Sequence, residues 1–203
     1  MTDNMLTIKT MRRLLIIAAM SLLAFSCTAQ KVDNSTVKSL DINKFQGDWY
    51  EIARFDHGFE RGVYFPKTEY KLMPDGKIRV TNSGIKSGKM KISVGKAKTT
   101  ETPGLLRVSF FGPFYSDYRV MMIADDYQYA LIGGGSPKYL WILSRTPIVP
   151  DNIKFRMVTE AGKRGYDVRD LIWMDQVEEI SAITDAIENL CTWGNLGCLA
   201  ECR

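Results

Sequence analysis

The sequence is short of the residues on which most catalytic and metal sites depend. Its 203 residues contain one histidine, His57, and four cysteines. A Ser-His-Asp or Cys-His arrangement would have to use that single histidine, and the chain has no Gly-x-Ser-x-Gly nucleophile elbow. The glycines at 133–135 lack the Lys-Ser/Thr of a phosphate-binding loop and predict a hairpin turn. We therefore expect no catalytic residues, no metal and no cofactor, and we expect His57 to be an exposed loop residue.

The chain also lacks a strong net charge and an apolar run long enough to cross a membrane. Its 27 basic and 23 acidic residues give a formal charge of +4, which is too near balance to indicate nucleic-acid binding. The apolar stretch at 14–25 covers twelve residues, whereas a membrane-spanning helix needs about 20. Because Arg12 and Arg13 precede it, this stretch predicts a secretion signal over residues 1–26.

Two interpretations of the signal's cleavage site are open. Ala-Phe-Ser-Cys at 24–27 resembles a lipoprotein box, which would leave Cys27 acylated and the protein anchored to the outer membrane. Cleavage after Ala29 would instead release a soluble periplasmic or secreted protein. In both cases the chain is predicted to be exported, with residues 27–44 forming a linker to the folded domain.

A tail at 176–203 holds the other cysteines, Cys191, Cys198 and Cys202. An oxidising compartment permits a disulfide there. Because the number of thiols is odd, either one cysteine stays unpaired within the chain or cysteines pair between two chains. Apolar residues recur at helical spacing on one face of the tail: Val177, Ile180, Ile183, Ile187 and Leu190. The tail is therefore predicted to be an amphipathic helix, and a contact in a homodimer is one role open to it.

Short alternating strands with turns between them fill the middle of the chain. The predicted strands lie at 49–55, 64–73, 77–83, 90–99, 105–111, 118–124, 129–133 and 139–145. A helical pattern runs from Asp151 to Gly165, and a further short strand is predicted at 171–174. Eight consecutive strands with short connections are typical of an up-and-down barrel that holds one small ligand. The sequence thus predicts an all-β, eight-stranded antiparallel barrel at 45–175, with a C-terminal α-helix packed outside it and the helical tail beyond.

Three motifs, in order, resemble the signatures of the lipocalin family. They are Gly-Asp-Trp at 47–49, Ala-Asp-Asp-Tyr at 124–127 and Leu-Ser-Arg-Thr at 143–146, the second departing from the family's usual Thr before Asp. The resemblance implies that Gly47 lets the chain enter the barrel and that Trp49 plugs its closed end. It also implies that Arg145 lies across Trp49, where a cation on an indole face contributes about 0.5–2 kcal/mol. We expect these three residues to close the barrel.

Longer segments are similar to one subgroup, the bacterial outer-membrane lipocalins. The similarity lies at 49–59, at 139–147 and in Val-Ser-Phe-Phe-Gly-Pro-Phe-Tyr at 108–115. This resemblance implies a lipid-binding lipoprotein that stores or transports a hydrophobic molecule, such as a fatty acid (palmitate, for example) or a lysophospholipid. The alternative is a protein-interaction module, with a largely filled barrel and a docking surface on the amphipathic tail.

The two-residue period of a strand predicts which side chains line the ligand site. Counting along the strands gives Glu51, Ala53, Phe55, Val108, Phe110, Tyr118, Val120, Met122, Tyr139, Trp141 and Leu143. Arg61 joins them from the loop after the first strand, because its guanidinium matches a phosphate or carboxylate head group. An isolated buried carboxylate is costly, so we expect Glu51 to pair with a Tyr or Arg or to contact a polar group of the ligand.

Overall fold

The computed structural model describes residues 31–176, which form nine β-strands, two α-helices and one short 3₁₀-helix. The elements are α1 (Ile42–Phe45), β1 (Gly47–Arg54), β2 (Val63–Leu72), β3 (Ile78–Lys86), β4 (Lys89–Thr99), β5 (Leu105–Phe111), β6 (Phe114–Ile123), β7 (Tyr129–Gly134), β8 (Leu140–Ser144), α2 (Asp151–Lys163), the 3₁₀-helix (Val168–Asp170) and β9 (Ile172–Trp173). The signal at 1–26, Cys27 and the tail from 177 onward lie outside the described residues, so the predictions made for them stay predictions.

The strands form one antiparallel sheet that closes on itself. Their order is β2-β3-β4-β5-β6-β7-β8-β1-β9, and a further pairing of β1 with β2 joins the first eight into a barrel. The predicted eight-stranded up-and-down barrel is therefore confirmed. β9 corresponds to the short strand predicted after the helix, and it pairs with the second half of β1 at Ala53 and Arg54.

The up-and-down order divides the connections between two ends of the barrel. The closed end holds α1, the start of β1, the turns after β2, β4 and β6, and the end of β8. The open end holds the connections at 55–62, 87–88, 112–113 and 135–139. At the closed end, Phe45 of α1 is buried against Trp49 with the ring centroids 5.2 Å apart, so these two rings obstruct the interior there.

Two hydrophobic clusters lie on opposite faces of the barrel wall. The inner cluster consists of Phe45, Trp49, Tyr70, Ile78, Val80, Ala97, Leu106, Val120, Ala130, Ile132 and Leu143. The outer cluster lies between the wall and α2 and includes Ile52, Met121, Leu131, Leu140, Ile142, Met157 and Ala161. The predicted helix thus packs outside the barrel, where it buries Met157 and Ala161.

Two β-bulges change which side chains face the interior. The register of β1 against β8 shifts between Glu51 and Ala53, and the register of β6 against β7 shifts between Val120 and Met122. An extra residue in one strand reverses the in-and-out alternation beyond it. The predictions that Ala53, Phe55 and Met122 line the ligand site are therefore wrong, since all three pack in or against the outer cluster.

Candidate functional site

Arg145 joins distant segments at the closed end. Its guanidinium carbon lies 3.9 Å from the centroid of the Trp49 ring. Its Nη1 donates a hydrogen bond to the carbonyl oxygen of Asp48, and its Nη2 to that of Lys44, both at 2.7 Å. The carbonyl oxygen of Phe45 also accepts from Nη2, at 3.1 Å. Arg145 therefore lies across Trp49 as the resemblance implied, and it also satisfies carbonyl groups at the end of α1.

Gly47 and Tyr127 complete this closure. Gly47 has a φ of +95°, and a Cβ at that position would lie 3.3 Å from Nη1 of Arg145. Glycine adopts this left-handed backbone readily and leaves room for the guanidinium. Tyr127, in the turn between β6 and β7, accepts a hydrogen bond from Nε of Arg145 through its carbonyl oxygen, at 3.3 Å. All three signature motifs therefore meet at the closed end.

Beyond this closure, the inner wall is mainly apolar and aromatic. Six of the predicted lining residues pack in or against the inner cluster: Val108, Phe110, Tyr118, Val120, Trp141 and Leu143. The hydroxyl oxygens of the buried Tyr70 and the partly buried Tyr118 lie 2.7 Å apart, so each phenol has a polar partner. Such a wall, with few polar groups, is typical of a site for an apolar ligand.

A buried polar group lies on the wall next to the open end. It consists of Glu51, Arg54, His57, Glu60 and Trp141, and we call it the mouth cluster. Nη1 of Arg54 donates to Oε1 of Glu51 at 2.8 Å, and Nη2 donates to the carbonyl oxygen of Glu60 at 2.9 Å. Nε1 of Trp141 donates to Oε2 of Glu60 at 3.1 Å. Oε2 of Glu60 also lies 3.7 Å from Nε of Arg54, and Arg54 is only 3% exposed, so its guanidinium lies between two carboxyl groups away from solvent.

Burial determines the protonation states in the mouth cluster. Burial, reinforced by the neighbouring carboxylate of Glu60, raises the pKa of Glu51 to about 8, although the hydrogen bond from Arg54 opposes the change. Burial also raises the pKa of Glu60. Burial next to Arg54 lowers the pKa of His57 to about 4. At neutral pH the cluster therefore holds a mainly protonated Glu51, an uncharged His57 and the Arg54 cation.

Two nitrogen atoms of the mouth cluster have no hydrogen-bond partner among residues 31–176. They are Nε of Arg54 and Nε2 of His57, and both are buried. Buried polar groups in folded proteins nearly always have a partner, and leaving one unpaired costs roughly 1–3 kcal/mol. The cluster therefore has unused hydrogen-bonding capacity next to the mouth of the barrel.

The expectation that His57 is an exposed loop residue is wrong. Its ring lies against those of Phe59, Tyr139 and Trp141, at centroid distances of 5.4, 4.9 and 4.8 Å. Aromatic side chains from the mouth loop and from the connection between β7 and β8 therefore bury it. Tyr139, a predicted lining residue, lies at the rim of the mouth, where 37% of it is exposed.

Arg54 is a site residue that the two-residue period misses. Counted from Trp49, it falls on the outer face of β1. The bulge after Glu51 turns it inward, next to its register partner Trp141 in β8. The sequence offers one weak signal, a charged residue between Ala53 and Phe55 in an otherwise apolar run.

Arg61, predicted to meet an anionic head group, has a different partner. Its guanidinium pairs with the carboxylate of Asp56, and 69% of its side chain is exposed. The buried arginine next to the open end is instead Arg54, with Glu60 beside it. Glu60 could not be distinguished by sequence from the other charged residues of its loop.

The described residues hold neither a membrane-spanning helix nor a metal-binding group. Over 31–176, no helix is long and apolar enough to cross a membrane, and α2, the longer helix, has 13 residues. No three His, Cys, Asp or Glu side chains within that range come together as a metal site requires. The predicted lipid anchor Cys27 and the cysteines of the tail fall outside this range.

Comparisons with known proteins agree with this geometry. A family model for the lipocalin-like domain matches residues 40–176. Outer membrane lipoprotein Blc of Escherichia coli (strain K12) is 44% identical over 146 residues, which cover 70% of this chain and 82% of that protein. The Vibrio cholerae protein of the same name is 38% identical over 169 residues, covering 81% of this chain and 99% of that one. The solved structure of insecticyanin from the tobacco hornworm Manduca sexta gives a TM-score of 0.61 at 22% identity, covering 72% of this chain and 86% of that one. The chain belongs to the lipocalin family.

Proposed function

We propose that this protein binds one small hydrophobic molecule inside the barrel and stores or transports it at the bacterial cell envelope. The ligand is a fatty acid or a lysophospholipid. The observation that carries the proposal is the apolar inner wall, which Trp49 and Arg145 close at one end and the mouth cluster borders at the other. Such a site suits a molecule with a long apolar tail and one polar end. The proposed function involves no catalysis.

The acyl tail supplies most of the binding free energy. It lies along the inner wall, against side chains such as Val108, Val120 and Leu143. Each buried methylene contributes about 0.8 kcal/mol, so a chain of sixteen carbons has a large gross driving force. The loss of translational and conformational freedom offsets much of it. A dissociation constant in the micromolar range, about −8 kcal/mol, is therefore expected.

The polar end of the ligand lies at the mouth cluster. Nε of Arg54 lies 3.7 Å from Oε2 of Glu60 and is a buried donor without a hydrogen-bond partner among the described residues, and a guanidinium matches the oxygens of carboxylates and phosphates. Because the raised pKa of Glu51 keeps that group mainly protonated at neutral pH, the charge of Arg54 is opposed by one carboxylate at most. The head group of a fatty acid and that of a lysophospholipid both provide the anionic acceptor that this cluster requires.

The location at the envelope rests on the signal and on the relatives. The matched Escherichia coli and Vibrio cholerae proteins are named outer membrane lipoproteins. In this chain, Ala-Phe-Ser-Cys at 24–27 resembles a lipoprotein box and supplies Cys27 for acylation. A lipid anchor with several acyl chains holds a protein stably at a membrane, where a single chain does not. The anchored form therefore keeps the barrel next to its source of lipid.

Calorimetric titration tests the proposed ligand and its site together. The chain from 31 to 203, which contains every described residue, is titrated with palmitate and with lysophosphatidylcholine. Trp141→Ala removes a ring from the mouth and is expected to weaken binding roughly tenfold, by loss of apolar contact. Trp173→Ala is the matched control, because that ring lies on β9 and is 46% exposed. Equal affinities for both variants, or no binding by the unmodified chain, would contradict the proposal.

A protein-interaction role for the tail is the second candidate. It is favoured by an apolar groove at the point where the described chain ends. The groove is lined by Ile52, Pro147, Ile148, Val149, Lys154 and residues 173–176. Ile148 is 66% exposed, which leaves an apolar surface for a partner or a second copy. If this were the main role, the barrel would be filled by its own side chains and would take up no lipid.

A further inference from the structure

Large apolar side chains are exposed around the open end of the barrel. Phe111 and Phe114, which flank the Gly-Pro turn between β5 and β6, are 81% and 79% exposed. Phe59 in the mouth loop, Tyr64 at the start of β2 and Met90 at the start of β4 are each more than half exposed. Scattered exposed apolar residues are ordinary, but a group of them at one end of a molecule marks an interaction surface.

The topology brings these residues to one rim. The connections β1–β2, β3–β4 and β5–β6 all lie at the open end, and the strands β2 to β6 are consecutive neighbours in the sheet. The five side chains therefore follow one side of the mouth rather than being spread over the barrel. We call them, with the lysines described next, the open rim.

The open rim is also basic. Lys86 and Lys89 face each other across the β3–β4 turn, Lys91 follows in β4, and Lys138 lies in the connection between β7 and β8. None of the four forms an ion pair with any residue in the range 31–176. The acidic residues of the mouth loop are already engaged, Asp56 with Arg61 and Glu60 within the mouth cluster. The rim therefore combines exposed aromatic rings with unpaired positive charge.

We propose that the open rim docks on the surface of a lipid bilayer that contains anionic lipids. Phe111 and Phe114 enter the boundary between head groups and acyl chains, and the lysines lie at the level of the phosphates. Exposed aromatic tips with flanking lysines fit this boundary, because the rings leave water while the ammonium groups keep anionic partners. The mouth of the barrel then opens toward the bilayer, so that a lipid enters without crossing bulk water.

Charge and shape favour a bilayer over a protein partner. The exposed apolar side chains come from three connections around an opening and lie among lysines, whereas protein interfaces concentrate apolar groups in a centre depleted of charge. The unpaired charges are all lysines, which are compact and strongly hydrated and are depleted in protein interfaces. An anionic lipid surface complements such a rim without requiring a specific arrangement of acceptors.

Vesicle flotation tests the docking surface. The chain from 31 to 203 is mixed with vesicles of phosphatidylcholine and phosphatidylglycerol in a 7:3 ratio, and with vesicles of phosphatidylcholine alone. The anionic vesicles are expected to bind the protein several-fold more strongly, and added salt is expected to release it. Equal binding to both compositions, or no binding to the anionic vesicles, overturns the proposal.

Matched variants locate the surface. Phe111→Ser with Phe114→Ser is expected to lower vesicle binding roughly tenfold, because two rings no longer leave water. Phe155→Ser is the control, since Phe155 is 74% exposed on α2, away from the rim. If the rim variant and the control lose vesicle binding to the same extent, the assignment of the docking surface to the open rim is overturned. A thermal melt of each variant shows whether the fold is retained.

A second pair of variants tests the contribution of the rim lysines to vesicle binding. Lys86→Glu with Lys89→Glu is expected to lower binding to the anionic vesicles about tenfold or more. Lys38→Glu with Lys71→Glu is the control, because it makes the same change of net charge at exposed residues outside the open rim. This control is expected to lower vesicle binding less than the rim pair does. Titration of the rim variants with palmitate in solution separates docking from ligand binding, because the inner wall is unchanged. Equal effects of the two lysine pairs contradict the proposal.

Discussion

At the closed end, Arg145 connects segments that are about 100 positions apart in the chain. Its guanidinium covers the Trp49 ring and donates hydrogen bonds to several backbone carbonyl oxygens. Most of these contacts form only when α1, β1 and β8 are assembled. Arg145 therefore stabilises the assembled barrel rather than one helix or strand by itself.

Replacing Arg145 by Met tests this role. The variant loses the cation–π contact and the hydrogen bonds that the guanidinium donates to backbone carbonyl oxygens, so the free energy of unfolding is expected to fall by about 2–4 kcal/mol. Urea unfolding followed by tryptophan fluorescence measures the change. Arg169→Met is the control, because Arg169 is exposed and its ion pair within residues 31–176 is with the nearby Asp167, and its effect is expected to stay within about 0.5 kcal/mol. An equally mild effect at Arg145 would contradict the role described for it.

Glu51 predicts a dependence of stability on pH. Because its pKa is raised from 4.5 to about 8, the folded protein keeps a proton that the unfolded chain releases, and the free energy of unfolding falls as the pH rises between these values. His57 acts in the opposite direction between pH 4 and 6.5, since its pKa is lowered from 6.5 to about 4. The fall due to Glu51 is therefore best observed from pH 6.5 to 8, where it is expected to reach on the order of 2 kcal/mol.

Urea unfolding at several pH values between 6.5 and 8 measures this slope. Glu51→Gln keeps the shape of the side chain and an oxygen that accepts from Arg54, but it removes the titration. The variant is expected to show a much flatter profile. Glu101→Gln, a change at an exposed residue of the β4–β5 connection, is expected to leave the slope of the unmodified protein in place. A slope that persists in Glu51→Gln would contradict the assignment.

At the scale of elements, the pairing of β4 with β5 depends on a close approach at Gly95. A Cβ there would lie 2.7 Å from the carbonyl oxygen of Ser109 and 2.8 Å from Cδ1 of Phe110. The paired segment is short, from Lys96 to Thr99 in β4. Backbone atoms at this distance have little freedom to move, so a larger residue at 95 forces the two strands apart.

Gly95→Ala is therefore expected to lower the free energy of unfolding by about 1–3 kcal/mol. Gly58→Ala is the matched control, because no described residue beyond its two chain neighbours has an atom within 4 Å of a Cβ at that position, and its φ is not in the left-handed region. The control is expected to be neutral or slightly stabilising. Urea unfolding of both variants measures these changes. Similar free energies of unfolding for Gly95→Ala and Gly58→Ala would rule out the proposed clash.

The sequence predicted the elements well and the orientation of their side chains less well. Alternation and turn residues located eight strands and the helix at Asp151, because these signals are local. The bulges in β1 and β6 depend on how neighbouring strands pair, which local patterns do not encode. Ala53 and Met122 were therefore assigned to the wrong face, while Arg54 was missed.

The mouth cluster could not be predicted from the sequence either. Glu51 was identified as unusual, and it does pair with an arginine, but which arginine depends on the bulge. The burial of His57 depends on Tyr139 and Trp141, which come from a connection and a strand about 80 residues later in the chain. Such contacts arise only when the barrel is closed.

At the scale of the whole molecule, the barrel separates stability from binding. The closed end holds the signature residues and joins the chain into a ring of strands. The open end holds the mouth cluster and the exposed rim. Changes at the closed end are thus expected to affect folding, while changes at the open end are expected to affect ligand and membrane binding.

Native mass spectrometry shows whether the barrel takes up one lipid molecule. The chain from 31 to 203 is measured alone, then with palmitate, and then with lysophosphatidylcholine added to the palmitate-bound protein. We expect a single one-to-one adduct with palmitate and its displacement by the second lipid, because both lipids use the same inner wall. A mass that stays unchanged with every lipid would rule out lipid uptake by the barrel and favour the filled barrel with an interacting tail.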